Sequence, residues 1–372
     1  MEFKYKAAPH NHASLSTQQI MKYLTCALAA VYLFGLVRCA FQGSAYLLHG
    51  ILMMAAAVCS SVICEAAFAY FQKKDIKKTL LASFPWITPM IIVLMVPINT
   101  RIYAVAMSTV VGVVFGKLVF GGFGQNIFNP AAVGRAITFS SFTGTKLATL
   151  PISSTPTATA ASAGWIFSSN GEFQRFLSDF GGLGNFFLGN YDGALGETSA
   201  LLILLCGAFL VYKKVINAYV PLTYLGVLFL GTLCVGLSHG LGISYALFCV
   251  LTGGAVFGGV FMLTDPVTNP NTRCGKIVFA ALAAVLTVLI RYLANMPEGV
   301  NFSILLVNIL TPVIDRFFDG KSVNREKKDR LVVCGVILAS VLLIFIFGLL
   351  IVPAGYYPET AALPLLKGGL GL

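Results

Sequence analysis

The chain alternates between long apolar runs and short polar segments along most of its length. A helix needs about 20 apolar residues to cross the hydrocarbon core of a bilayer. The pattern therefore predicts an all-α polytopic membrane protein with about 10–11 transmembrane helices, the exact number depending on whether the two shortest runs cross fully. The runs lie near residues 21–37, 44–70, 80–97, 102–119, 127–140, 198–212, 219–238, 244–264, 276–294, 301–314 and 331–353.

The spacing of these runs predicts two membrane halves with five helices each. An odd number of spans gives the two halves opposite topology, an arrangement seen in many transport proteins. No repeat between the halves can be read from the residues alone. The predicted divisions are a cytoplasmic N-terminal segment (1–20), a first half (21–140), an outer segment (141–197), a second half (198–314), a basic cytoplasmic loop (315–330), an extra C-terminal helix (331–353) and a tail (354–372).

Composition and charge support a membrane protein and indicate its orientation. Hydrophobic residues make up 57% of the chain and charged residues 10%, whereas a soluble domain carries about 25% charged residues. The net charge of +11 comes from lysines and arginines in short loops, which is typical of an orientation signal and disfavours nucleic-acid binding. The basic loops predict a cytoplasmic N-terminus and place segment 141–197 outside. The nine cysteines are scattered without a C-x-x-C pair and predict neither a disulfide framework nor a metal site.

The segment GGFGQNIFNPAAVGRA, residues 121–136, is the first candidate site. Its glycines permit close backbone approach, and Asn129-Pro130 favours a break followed by a helix that starts at Pro130. Asn126 and Asn129 carry amides at membrane depth, where an unpaired polar group is costly. Two interpretations stay open: the asparagines cap the next helix, or they line a polar pocket for a heterocycle with imide-like edges.

Three acidic positions are also examined for a role. Asp265, in MLTDPVTNPNTRCGK, is either a helix cap or an acid that lines an ion or cofactor path. Glu197, in GALGETS, belongs to a capping segment for the following helix. Glu65, in ICEAAFAY near the end of a span, is interpreted as a snorkelling residue rather than a proton carrier. No catalytic triad, phosphate-binding loop or metal-ligand spacing occurs, so we predict no catalytic residue and disfavour a self-contained soluble enzyme.

Four blocks together resemble the RnfD/NqrB family. They are FGKLVFGGFGQNIFNPAAVGRA, GNYDGALGETSALLILLCGAFLVYKK, FGGVFMLTDPVTNPNTRCGK and NMPEGVNFSILLVNILTPVID, which occur in the family's order over residues 115–315. The family comprises integral membrane subunits of the ion-translocating ferredoxin:NAD oxidoreductase (Rnf) and of the sodium-translocating NADH:quinone reductase. RnfD is the closer match, because this chain lacks the longer N-terminal extension typical of NqrB.

The resemblance implies a covalent FMN in the outer segment. The family joins FMN by a phosphoester to a threonine hydroxyl upstream of the Gly-Glu-Thr-Ser block, which corresponds here to LPISSTPTATAASAG, residues 150–164. Taken alone, this stretch would be a solvated loop rich in hydroxyl groups. Thr155 is favoured because Pro156 follows it, although Ser154 stands where alanine is usual; Thr159 keeps the preceding alanine and is the alternate. Neither has the aspartate common six residues upstream.

The resemblance also implies the other cofactor, the partners and the location. A non-covalent riboflavin would lie near the cytoplasmic side, where Asn126 and Asn129 match the family's asparagine pair. The chain would pass electrons between flavins, coupled to export of sodium ions or protons, in a bacterial cytoplasmic (inner) membrane. Its partners would be the bilayer and the other subunits, RnfA, RnfB, RnfC, RnfE and RnfG. The rival hypothesis is a channel or secondary transporter with inverted repeats and no cofactor.

Overall fold

The computed structural model describes residues 15–142, 170–191, 193–293, 299–318 and 326–351. Within these residues the secondary structure is helical, and the only strand-like feature is an isolated antiparallel bridge between Pro97 and Ala194. The predicted all-α polytopic class is therefore confirmed.

The first half begins with two long helices that a single glycine separates. Ser16 caps the first helix through its side chain, which accepts a hydrogen bond from the Gln19 amide, and Gly43 joins the two at φ 145°, a conformation that other residues rarely adopt. The helices are α1 (Thr17–Gln42), α2 (Ser44–Phe71), α3 (Ile76–Ser83), α4 (Ile87–Leu94), α5 (Ile102–Val113), which continues into a π-helical turn (Val114–Leu118), and α6 (Pro130–Phe142).

Segment 141–197 contributes two short described helices, and the second half follows them. These two helices are α7 (Asn170–Asp179) and α8 (Leu183–Leu188). The second half contains α9 (Ala200–Tyr212), α10 (Tyr219–Ser238), α11 (Gly242–Leu251), α12 (Ala255–Phe257), which continues into a second π-helical turn (Gly258–Met262), α13 (Arg273–Leu293) and α14 (Val300–Phe318). The last helix, α15 (Glu326–Ile351), coincides with the expected extra C-terminal helix.

Six described helices are long and apolar enough to cross a membrane, and eight spans result if each bent pair counts as one. The bent pairs are α3 with α4, which meet at 46°, and α11 with the α12 segment, which meet at 61°. Two shorter apolar helices, Ile102–Leu118 and Ala200–Tyr212, add to these. With the two bent pairs counted as one span each, these two shorter helices bring the number to the expected ten, and α6 brings it to eleven.

The two halves share one packing order. With each bent pair counted as one span, the second span packs on the fourth and the fourth on the fifth: α2 on α5 and α5 on α6, then α10 on α13 and α13 on α14. This shared order is consistent with two five-span halves, whose opposite topology stays a prediction from the odd number of spans. Helix α13 is central, because 56% of its most apolar 18-residue stretch is buried. The corresponding share is only 22% in α2 and in α15.

Helices α5 and α6 approach each other closely through glycines. A Cβ atom at Gly112 would lie 2.7 Å from the Pro130 carbonyl oxygen, and one at Gly116 would lie 2.7 Å from the Pro130 Cα. Small residues allow this backbone contact between membrane helices. The contact holds the start of α6 against the π-helical turn of α5.

Candidate functional site

A cavity lies where the two halves meet, and we call it the inter-half cavity. Its empty volume is about 790 Å³, including open space at its mouth. Val215 and Ile216, which directly follow Lys213 and Lys214, form part of its lining. The cavity therefore lies at the end of the bundle that carries the lysine-rich loops. Both π-helical turns reach it, through Lys117 and Phe261, and such turns are frequent at functional sites.

The lining combines aromatic walls with a few convergent polar groups, which is typical of cofactor and small-molecule sites. The aromatic rings are those of Phe84, Phe123 and Phe261. The polar side chains are those of Ser83, Thr88, Lys117, Asn126, Asn129, Thr264 and Asp265. Both asparagines predicted from the sequence are among them, and the structure brings them together with Asp265 from the second half.

Asn129 caps α6, as one of the two interpretations predicted. Its Oδ1 accepts hydrogen bonds from the backbone N–H groups of Ala131 and Ala132, at 3.0 and 3.3 Å. Its Nδ2 donates to the Met262 carbonyl at 3.2 Å and so links the two halves. The amide oxygen is fully used by these contacts, which leaves one N–H of Asn129 for a molecule in the cavity.

Asn126 offers the opposite hydrogen-bonding group. Its Nδ2 donates to the Phe128 carbonyl at 3.0 Å, and its side chain is one of the groups that lower the pKa of the Asp265 carboxyl against the effect of burial. No described group donates to its Oδ1, which therefore remains as an acceptor. Asn126 and Asn129 together thus present one acceptor and one donor on the cavity wall.

Asp265 does not cap a helix, so that interpretation is wrong. Its carboxylate accepts from the Val267 amide and from the Thr268 hydroxyl, both at 3.3 Å, and stabilises the turn that precedes α13. Thr272 instead accepts from the Gly275 amide at the start of α13. Burial raises the pKa of the Asp265 carboxyl above its ordinary value, and the hydrogen bonds that it accepts act in the opposite direction.

A buried ion pair joins α2 to the cavity wall. Lys117 Nζ lies 2.6 Å from Glu65 Oε1, and the two residues are 4% and 2% exposed. Nζ also donates to the Ser83 carbonyl at 2.9 Å, and the Ser83 hydroxyl donates to the other oxygen of Glu65. The interpretation of Glu65 as a snorkelling residue is therefore wrong, because its carboxylate points into the protein, where Lys117 neutralises it.

Lys117 is not among the site residues predicted from the sequence, because the lysines and arginines are interpreted there only as an orientation signal. The signal was nevertheless present, since Lys117 lies inside an apolar run, where an ionisable residue is costly and marks a candidate site. Arg291 gives the same signal near the end of α13 and was also missed.

Arg291 is the counterpart of Lys117 in the second half. It is 3% exposed, and its guanidinium donates to the carbonyls of Cys249, Thr252 and Gly253 at 2.7, 3.0 and 3.3 Å. These carbonyls lie at the end of α11, where the helix dipole places partial negative charge. In both halves a buried cation on the fourth span thus binds carbonyls at the end of a short helix. Lys117 binds the end of α3, and Arg291 binds the end of α11.

The other end of the bundle is closed by the GALGETS block. The backbone N–H of Gly196 donates to the Leu94 carbonyl at 2.7 Å, and Leu195 donates to Val96 at 3.3 Å, which ties this block to the first half. Ser199 caps α9 by accepting from the Leu202 amide at 3.3 Å, as the sequence predicted. Helices α7 and α8 pack their phenylalanines against Phe248 of α11.

The predicted attachment threonines, Thr155 and Thr159, lie in segment 143–169, outside the described residues. The described residues closest to them along the chain belong to α6, which ends at Phe142, and to α7, which begins at Asn170. The attachment site therefore stays a prediction from the sequence.

Comparison with known proteins shows the family. The chain matches the model of the NQR2, RnfD, RnfE family over residues 4–324. The D-type subunit of the proton-translocating ferredoxin:NAD(+) oxidoreductase complex of Clostridium ljungdahlii is 34% identical over 326 residues, 85% of this chain and 94% of that protein. The D-type subunit of the Na(+)-translocating ferredoxin:NAD(+) oxidoreductase complex of Acetobacterium woodii is 32% identical over 327 residues. The match covers 87% of this chain and 96% of that protein.

A second branch of the family matches at somewhat lower identity. The B-type subunit of the Na(+)-translocating NADH-quinone reductase of Pseudomonas aeruginosa is 30% identical over 279 residues, which is 70% of this chain and 65% of that protein. The resemblance inferred from the four sequence blocks is therefore confirmed. With a family match that extends far beyond those blocks, the chain belongs to the NQR2, RnfD, RnfE family.

Proposed function

We propose that this chain is the D-type membrane subunit of an ion-translocating ferredoxin:NAD oxidoreductase complex, and that it is not a self-contained enzyme. The observation that carries the proposal is the inter-half cavity, whose aromatic walls and amide pair suit a redox cofactor inside the membrane bundle. The names of the first two relatives above support the type of complex. Because one is named proton-translocating and the other Na(+)-translocating, the coupling ion stays open.

The described residues of the cavity fit a non-covalent flavin such as riboflavin. The imide edge of an isoalloxazine ring presents one N–H donor between two carbonyl acceptors. The free Oδ1 of Asn126 can accept from that N–H, and the remaining N–H of Asn129 can donate to a ring carbonyl. Phe84, Phe123 and Phe261 supply apolar surface for the ring. A flavin bound here would supply electron transfer, while the protein positions it and excludes water.

Asn126→Ala is expected to weaken riboflavin binding by about tenfold, because the imide N–H would lose its acceptor in a buried site. The measurement is a titration in which riboflavin is added to the flavin-depleted full chain. Quenching of the flavin fluorescence reports binding. Asn271→Ala is the matched control, since Asn271 is exposed and its side-chain Nδ2 donates to the Asp315 carboxylate at 3.1 Å, outside the cavity. Equal affinities for the two variants would contradict a flavin held by Asn126.

The second proposed cofactor is FMN, joined by a phosphoester to Thr155 in the outer segment, with Thr159 as the alternate. Such an anchor prevents loss of an outward-facing flavin to the medium. We expect the chain purified from its native host to fluoresce on a denaturing gel, and peptides covering residues 147–175 to carry one FMN adduct.

Thr155→Ala is expected to abolish this adduct, whereas Thr159→Ala should leave it in place. Both variants should bind riboflavin in the inter-half cavity as the unchanged chain does, which controls for folding. Loss of the adduct only in Thr159→Ala would move the attachment to Thr159. An unmodified mass for the chain from its native host would sink the covalent proposal.

The partners and orientation follow from the same proposal. The chain would assemble with RnfA, RnfB, RnfC, RnfE and RnfG in a bacterial cytoplasmic membrane, with its N-terminus in the cytoplasm. The charges of the described loops support this orientation, because Lys73, Lys74, Lys213, Lys214 and Arg273 all follow or precede helices at the cavity end of the bundle.

A transporter without a cofactor is the second candidate, and the two bent pairs favour it. Broken helices that meet at the interface of inverted halves commonly hold transported ions or solutes. The flavin experiments separate the candidates, since a cofactor-free transporter would neither bind riboflavin tightly nor carry an FMN adduct. Family membership weighs towards the redox subunit.

A further inference from the structure

Asn308 of α14 is a buried amide without a hydrogen-bond partner. The residue is 1% exposed, and neither its Oδ1 nor its Nδ2 has a partner among the described residues. Burying an unpaired amide inside a membrane protein is strongly unfavourable, because no water is present to bond it. A side chain with this cost indicates a polar ligand.

The neighbours of Asn308 on α14 show which way it faces. Ile304, Asn308 and Thr311 lie on one stripe of the helix, at spacings of four and three residues. Ile304 packs beside Gly258, where an added Cβ would lie 3.6 Å from its Cδ1, and the Thr311 hydroxyl donates to the Thr268 carbonyl at 2.9 Å. The stripe, and Asn308 with it, therefore faces segment 258–269.

A second unpartnered amide oxygen lies in that segment. Asn269 is 8% exposed, and its Nδ2 donates to the Leu263 carbonyl at 3.0 Å, while its Oδ1 has no partner among the described residues. Asn269 directly follows Thr268, whose carbonyl binds Thr311 and whose hydroxyl donates to the Asp265 carboxylate at 3.3 Å. The segment that the stripe of α14 faces thus carries a second orphan amide oxygen and the Asp265 carboxylate.

We propose that Asn308 and Asn269 form a binding site for a partly hydrated monovalent cation such as Na⁺. Neutral amide oxygens replace part of an ion's hydration shell, as carbonyl oxygens do in ion channels. The Asn308 N–H groups would donate to water that accompanies the partly hydrated ion. A divalent cation is disfavoured, because such ions are usually bound by one or more carboxylates directly.

The position of the site connects it to the inter-half cavity. Thr264, Asp265 and Val267 line the cavity, and the same segment continues through Thr268 and Asn269 to the site on α14. One backbone segment therefore forms a wall of both. The inference that a cation binds depends only on the two amides. A role of that cation in ion translocation rests on the proposed function.

The test is the sodium dependence of thermal unfolding, measured on the full chain in lipid nanodiscs. In NaCl the melting temperature should exceed that in choline chloride of equal ionic strength by at least about 3 °C. Asn308→Leu should abolish this difference. Ser303→Ala is the matched control on α14 and should preserve it, because Ser303 belongs to a separate hydroxyl cluster with Thr287.

Each other outcome overturns the site. If the unchanged chain shows no sodium effect, the amides bind only water or nothing, and if the effect persists in Asn308→Leu, the ion binds elsewhere. Should Asn308→Leu fail to fold, Asn308→Asp replaces it, and its added charge must enlarge the sodium effect. Riboflavin titration of the same samples reports on the proposed flavin function separately, so failure of one does not imply failure of the other.

Discussion

Lys117→Met is expected to destabilise the bundle by about 3–5 kcal/mol, since it leaves the Glu65 carboxylate buried without its counter-ion. The pair is almost completely excluded from solvent, with Nζ 2.6 Å from Oε1. The change also removes the donor to the Ser83 carbonyl at the end of α3. Denaturant unfolding of the full chain in mild detergent measures the loss.

Two comparisons test whether the ion pair is the reason. The double variant Lys117→Met with Glu65→Leu should recover most of the stability, because no charge is left buried. Lys78→Met is the surface control: Lys78 forms an exposed pair with Asp75 at 3.8 Å, and such pairs contribute about 0–1 kcal/mol. The ion-pair explanation would be contradicted if the double variant were as unstable as Lys117→Met. It would also be contradicted if Lys78→Met lost as much stability as Lys117→Met.

Local features of this fold could be predicted from the sequence because they depend on neighbouring residues. The apolar runs predict the helices, and Asn129-Pro130 predicts the start of α6 at Pro130. The amide of Asn129 then caps that helix, as expected of an asparagine before its first turn. Ser199 caps α9 in the same way.

The pattern of apolar residues missed the break between α3 and α4, although Pro85 disfavours a helical conformation at Phe84; distant residues stabilise the break. The run 80–97 is largely apolar, yet the chain turns at Phe84, which adopts φ 51°. The carbonyls freed there bind side chains from other helices: Ser61 donates to the Pro85 carbonyl at 2.6 Å, and Lys117 donates to that of Ser83. Periodicity contains no information about such partners.

The similarity of the two halves likewise becomes visible only in three dimensions. Lys117 and Arg291 differ in side chain, and Glu65 accompanies only the first, so no repeated motif marks them. Their equivalence lies in their placement, each near the end of a fourth span and against the end of a half-helix. Because the partial charge of a helix end is the same whichever residues form it, different cations can stabilise it.

Arg291→Leu is expected to destabilise the second half by about 3 kcal/mol or more, since the carbonyls of Cys249, Thr252 and Gly253 would lose a charged donor at membrane depth. Arg291→Lys keeps the positive charge at the end of α11 but not the fork of donors, and should recover about half of the loss. Thermal unfolding measures both variants, and hydrogen exchange of residues 248–254 locates the effect. If Arg291→Leu and Arg291→Lys were equally damaging, the geometry of the hydrogen bonds alone would matter. If neither variant lost stability, Arg291 would contribute nothing to the break between α11 and α12.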